Sequence, residues 1–275
     1  MIAKGAAIFY STSSVDRYII VAATLCFLAA VVRTAVLIGA GNFRPGRFNF
    51  LAIVAGFAFQ TAFLSVRGHA LGRCPLTNLF EVFVFLAWSV ALIYLLVGPV
   101  YRLSLMGAFT APVVFFIQTV ALLAPVDVRH PGKMPANPWL EFHASMSMIA
   151  YGAFALACIA GVMYLIQDRQ LKTRRLRSIF FHLPPLSDLF IAITRLLWWG
   201  LGLYTLGLVS GFFIGQPLPR VQVFCSFAVW VLYAAILQGR YLRRLAPKAV
   251  AALCIIGFTA ALTLLWGITF SAQVH

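Results

Sequence analysis

Asn137-Pro138-Trp139-Leu140-Glu141-Phe142-His143-Ala144-Ser145-Met146 opens an apolar run that continues to about residue 166. At about 1.5 Å per residue a helix of that length crosses a hydrocarbon core of ~30 Å. The same stretch sets His143 about one turn inside the mouth of the segment. An ionisable imidazole at a membrane boundary is costly and marks a functional candidate. Two roles are open to it: capping or packing at the interface, or ligation of a metal or haem iron by the neutral ring.

Seven further stretches have the same character, at about 18–40, 48–66, 78–97, 101–124, 187–213, 221–238 and 249–271. None alternates polar and apolar residues, which excludes an outer-membrane barrel. With 63% hydrophobic residues, 10% charged residues and a mean hydropathy of +0.96, the chain reads as a membrane protein in a lipid bilayer. The expected fold is all-α, a polytopic bundle of eight transmembrane helices in a single integral membrane domain over 1–275. Residues 1–17 lead into a first apolar stretch too long for a signal-peptide core, so it reads as a retained helix.

The net charge of +15 gives orientation in such a chain and does not point to nucleic acid. The odd-numbered loops carry 13 basic residues, concentrated at Arg169, Lys172, Arg174, Arg175, Arg177 and at Arg240, Arg243, Arg244, Lys248, against seven on the other face. The odd loops are therefore expected in the cytoplasm and both termini outside. His69, His130, His143 and His275 then lie on the outer face and His182 inside. The run from Arg169 to Arg177 is an anchor to anionic lipid, or in a sharper reading a docking surface for a cytoplasmic partner.

Five cysteines include four in apolar segments, and no CxxC is present, so the chain lacks both a c-type haem attachment motif and a redox pair. Cys74 alone lies near the outer face. It belongs to a loop and helix start, Arg67-Gly68-His69-Ala70-Leu71-Gly72-Arg73-Cys74-Pro75-Leu76-Thr77-Asn78-Leu79-Phe80-Glu81. Thr77 or Asn78 can cap the helix there, and Glu81 either complements its positive end or contacts a neighbouring helix. Arg195, some eight residues into an apolar helix, snorkels to the interface, pairs with Asp188 or faces a polar cavity. There is no P-loop, HExxH or GxSxG.

Pro75-Leu76-Thr77-Asn78-Leu79-Phe80-Glu81 with Phe85-Leu86-Ala87-Trp88 resembles a signature of the CcsA-like cytochrome c assembly protein family. The segment from Trp139 to Tyr151 resembles the family's outer-face histidine segment. Leu183 to Leu189 and Thr205 to Gly211 are similar to its middle region, and the resemblance covers roughly residues 50–275. Two landmarks differ. After Ser210-Gly211 the family's tryptophan-rich haem segment is missing, and Gln238 stands where the family has a histidine. This pattern is similar to the HemX/YpjD-type branch.

The resemblance implies an inner-membrane protein of bacteria that binds or handles haem b at its outer face during c-type cytochrome assembly. It implies His143 and His275 as ligands to the haem iron, with Trp139 and Trp266 against the macrocycle and Arg129, Lys133 or Arg220 near its propionates. The expected partners are an assembly subunit or an apocytochrome. Without the tryptophan-rich segment, enzymatic activity by this chain alone is not expected. The alternatives are a HemX-like regulatory or scaffolding protein of tetrapyrrole metabolism and, less well supported, a small-molecule or haem transporter.

Overall fold

The computed structural model describes residues 2–40, 47–76, 78–97, 106–123, 137–173, 185–215 and 219–274, with side chains described between 17 and 265. These residues form eight helices: α1 Ile2–Gly39, α2 Arg47–Leu71, α3 Leu79–Val97, α4 Met106–Leu123, α5 Pro138–Thr173, α6 Leu186–Gly211, α7 Arg220–Tyr241 and α8 Pro247–Val274. Each contains a segment long and apolar enough to cross a membrane. The helical form follows from the solvent, since backbone N–H and C=O groups in hydrocarbon must bond within their own segment. The chain is a multi-pass membrane protein.

Several helices run past the expected boundaries. α1 begins at Ile2, not near residue 18, and α5 continues to Thr173, not 166. The extension of α5 is polar, with Lys172 donating to Asp168 at 2.8 Å across one turn. A helix of 36 residues is about 54 Å long, so its basic end projects beyond the hydrocarbon. Arg195 lies exposed on α6.

α5 is the hub. Its most extensive partner is α6, and it also packs on α3 and α8. Small residues let these backbones approach, as is usual where the hydrophobic effect cannot drive helices together. A Cβ on Gly152 would come within 2.7 Å of the Ser89 backbone in α3, and one on Gly161 within 2.9 Å of the Ala251 carbonyl in α8. Aromatic rings fill the space between α5, α6 and α7, with Phe154 stacked on Tyr233 at 3.7 Å and Tyr151 edge-on to Tyr204 at 5.9 Å.

α1, α2 and α4 are joined differently, through buried polar side chains. The Gln118 amide donates to the Ile20 carbonyl at 3.1 Å and to Thr24 Oγ1 at 3.0 Å, and Gln60 donates to Gln118. Unsatisfied in hydrocarbon, these groups would be costly, so their mutual pairing fixes the register of the three helices. The up-and-down order puts the C-terminal ends of α2, α6 and α8 and the N-terminal ends of α3, α5 and α7 at one end of the bundle.

Candidate functional site

The site is built where α5 begins and α6 ends. Asn137 caps α5, its Oδ1 accepting from Trp139 N–H at 3.1 Å and Leu140 N–H at 3.4 Å. The Nδ2 of the same side chain donates to the Ile214 carbonyl at 2.8 Å, just beyond α6. Pro138 occupies the first helical position, where a missing N–H costs nothing. One residue thus starts one helix and ties it to the end of another.

Trp139 and His143 are four apart, so both lie on the side of α5 that meets α6. The Trp139 ring packs on Phe213 with centroids 4.9 Å apart and an interplanar angle of 30°. His143 Nδ1 lies 2.7 Å from the Gly207 carbonyl oxygen. A carbonyl only accepts, so Nδ1 carries the proton, and in the neutral ring Nε2 is left with its lone pair. Metal-ligating histidines are commonly oriented by this kind of bond. The absence of a side chain at Gly207 and Gly211 of α6 permits it: a Cβ on Gly207 would meet Ser147 Oγ at 2.8 Å, and one on Gly211 would meet His143 Nδ1 at 3.3 Å.

His143 opens onto a cleft of about 180 Å³ between the last turns of α6 and the first turns of α7. Its walls are mainly Leu208, Phe212, Val223 and Phe227, with Gln222 and Ser226 as the polar groups besides the imidazole. Phe212 is 77% exposed at the edge of the cleft, and Trp139 and Phe213, packed on one another, are each about half exposed. Ser226 is held from behind, its carbonyl accepting from Tyr204 Oη at 3.3 Å.

The stretch from Arg67 to Glu81 lies at the same end of the bundle. Asn78 caps α3, its Oδ1 accepting from the Glu81 N–H at 2.8 Å. Glu81 is fully buried and accepts from Arg67 Nε of α2 at 2.9 Å, so the contact to a neighbouring helix is realised. Cys74 Sγ lies 3.5 Å from Ser145 Oγ of α5, two residues beyond His143. Burial pushes the Cys74 thiol up, with the carboxylates of Glu141 and Glu81 adding to the rise and the Ser145 bond opposing it. A protonated thiol is a poor nucleophile, so the geometry favours a packing role for Cys74.

Of the residues expected at the site, the structure brings His143 and Trp139 to one face, beside α6. His275, the side chain of Trp266, and Arg129, Lys133, Arg174, Arg175 and Arg177 lie outside the described residues. Among the described residues no three His, Cys, Asp or Glu side chains converge. Gly207, Ser210, Phe213, Gln222 and Ser226 were not singled out as site residues from the sequence. The signal available was the glycine spacing of α6, at positions 200, 207 and 211, which places a smooth stripe on one side of a helix.

Known proteins resemble the chain over most of this architecture. It is 27% identical to Protein HemX of Brevibacillus brevis over 207 residues, which cover 73% of this chain and 76% of that protein. It is 24% identical to Protein HemX of Bacillus subtilis (strain 168), covering 76% and 79% of the two chains. A shorter match, 34% identical over 110 residues, links it to the Cytochrome c biogenesis protein CcsA of Porphyra purpurea, spanning 38% of this chain and 34% of that one. The family described as Cytochrome C assembly protein matches residues 76–275, a span that contains α3 to α8 and with them the His143 cleft. The chain belongs to the cytochrome c assembly protein family.

Proposed function

We propose that the protein holds haem b at the outer face of the bacterial cytoplasmic membrane and assists c-type cytochrome assembly, with His143 as the residue that would bind the iron. The observation that carries this reading is the bond from His143 Nδ1 to the Gly207 carbonyl, which leaves Nε2 available beside a cleft. The orientation rests on the excess of basic residues in the odd loops, which makes the His143 end the outer one.

The residues present fit the group. A neutral imidazole oriented through its other nitrogen is a suitable iron ligand. The cleft is smaller than the ~300 Å³ at which drug-sized sites begin, so it encloses an edge only. The exposed rings of Trp139, Phe212 and Phe213 are the apolar surface available for the remainder. Arg220, exposed at the first turn of α7, is a cation for a propionate. His275 follows α8, which ends at the His143 end of the bundle, and is the proposed second ligand, with Trp266 nearby in sequence. Bound haem supplies a redox-active iron for transfer to an apocytochrome or an assembly subunit, and two imidazoles suit a carrier.

A second reading has one specific support: a match to a protein named HemX covers 73% of the chain at 27% identity, against 24% identity for a CcsA match of similar coverage. In it the protein is a regulatory or scaffolding component of tetrapyrrole metabolism, and Arg169 and Lys172 at the end of α5 contribute to a cytoplasmic docking surface. Titrating the detergent-purified protein with haemin separates the two readings. Saturable growth of a low-spin Soret band, lost in His143→Ala, supports the carrier; a wild type that adds nothing to the spectrum of free haemin under the same titration sinks it.

A further inference from the structure

The Gly207 carbonyl oxygen serves more than one side chain. Besides His143 Nδ1 at 2.7 Å it accepts from Ser210 Oγ at 2.6 Å. Regular helix bonding directs the Gly211 N–H to the same oxygen. A carbonyl oxygen has two lone pairs, so these donors compete, and each weakens the others' hold on the shared electron density. We infer that Ser210 is a positioning residue that sets the donor strength of His143. Its hydroxyl keeps the Nδ1–H···O bond below full strength and so keeps the Nε2 lone pair less basic.

A serine or threonine within a helix commonly bonds back to a carbonyl three or four residues earlier. Thr194 and Thr205 of α6 do this, donating to Phe190 O at 2.9 Å and Leu201 O at 2.7 Å. Ser210 differs because the carbonyl it chooses is the one that orients His143. It is 3% exposed, so solvent offers its hydroxyl no other partner. Gly211 beside it leaves the imidazole room to reach that oxygen.

The consequence for the site rests on the haem-ligand reading. The bond made by the second nitrogen of a ligating imidazole governs its basicity, and a stronger one shifts the ring toward imidazolate. An imidazolate-like ligand favours ferric iron. With Ser210 in place, the ferrous form is held more readily.

The test uses the full chain in lipid nanodiscs, labelled with 15N-histidine. The Nδ1–H proton resonance of His143, assigned by its loss in His143→Ala, moves downfield in Ser210→Ala as its bond strengthens, and stays near the wild-type position in Ser210→Thr, which keeps the hydroxyl. In the haem-loaded protein, Ser210→Ala raises the ferric-to-ferrous ratio at fixed potential by up to about tenfold, ~59 mV for a one-electron couple, and Ser210→Thr reverses the change. An unmoved proton resonance in Ser210→Ala overturns the inference whether or not haem binds. A moved resonance with an unchanged potential overturns the tuning of iron. A wild type that takes up no haem refutes the haem-ligand reading alone, and the resonance still decides the competition for Gly207.

Discussion

Replacing Gly207 with alanine adds a Cβ that meets Ser147 Oγ at 2.8 Å, Ser147 N at 3.3 Å and His143 O at 3.4 Å. The Ser147 hydroxyl can rotate away, but its backbone nitrogen moves only with α5. Comfortable contact lies at about 3.5–4.0 Å, so the helices separate by ~0.5 Å at this level. The bond from His143 Nδ1, now 2.7 Å, stretches toward the edge of the hydrogen-bond range. Overpacking costs about 1–3 kcal/mol and weakening this bond up to ~1 kcal/mol more. The higher helix propensity of alanine returns as much as ~1 kcal/mol. The expected net loss is about 1–3 kcal/mol in thermal unfolding in mild detergent, with haem affinity reduced severalfold because the imidazole is less well oriented. Gly202→Ala is the internal control, since a Cβ there meets nothing within 4 Å. If Gly207→Ala melts no lower than Gly202→Ala and binds haem as the wild type does, the close approach of α5 and α6 does not orient His143.

Other expectations follow from the same end of the bundle. Glu81→Ala, which removes the buried carboxylate that Arg67 bonds, costs roughly 3 kcal/mol or more in thermal unfolding, while the double replacement Arg67→Met/Glu81→Met costs less than Glu81→Ala alone; a double loss equal to the sum of the Arg67→Met and Glu81→Met losses would mean the pair is not coupled. Cys74 reacts slowly with a maleimide at pH 7–8 because its thiol ionises above the ordinary 9.0, and the rate climbs only as pH rises through that raised value. Rapid labelling at neutral pH would contradict the burial of its sulfur. A cysteine placed at Lys172 is labelled by a membrane-impermeant reagent in inverted vesicles and protected in intact cells; the reverse pattern overturns the orientation.

The eight helices were legible because a continuous apolar run of about 20 residues has one stable form in hydrocarbon. Their ends were less so. The polar continuation of α5 past residue 166 carries no apolar signal, and its Lys172–Asp168 pair is a local contact that a hydropathy reading passes over. His143 stood out because a titratable side chain inside an apolar segment is expensive. The carbonyl that orients it did not, since any residue supplies a carbonyl and only packing of α5 on α6 brings Gly207 within reach. Glu81 was recognised as either a helix-start residue or an interhelical contact. Arg67 is 14 positions away, and the turn between α2 and α3 had to fold before the pair could be seen. Gln222 and Ser226 gave no sign, because a glutamine and a serine near the start of an apolar helix have many uses and the cleft exists only between two helices.

In the proposed function the imidazole at position 143 ligates haem iron through the nitrogen left free by the bond to Gly207. The most direct test is the visible absorption spectrum of His143→Gly with haem, recorded before and after free imidazole is added. The wild-type Soret band is expected to be lost in the variant and restored by imidazole that enters the vacated space beside Gly207. A variant whose spectrum matches the wild type without imidazole would contradict it, because the ligand would then be another residue.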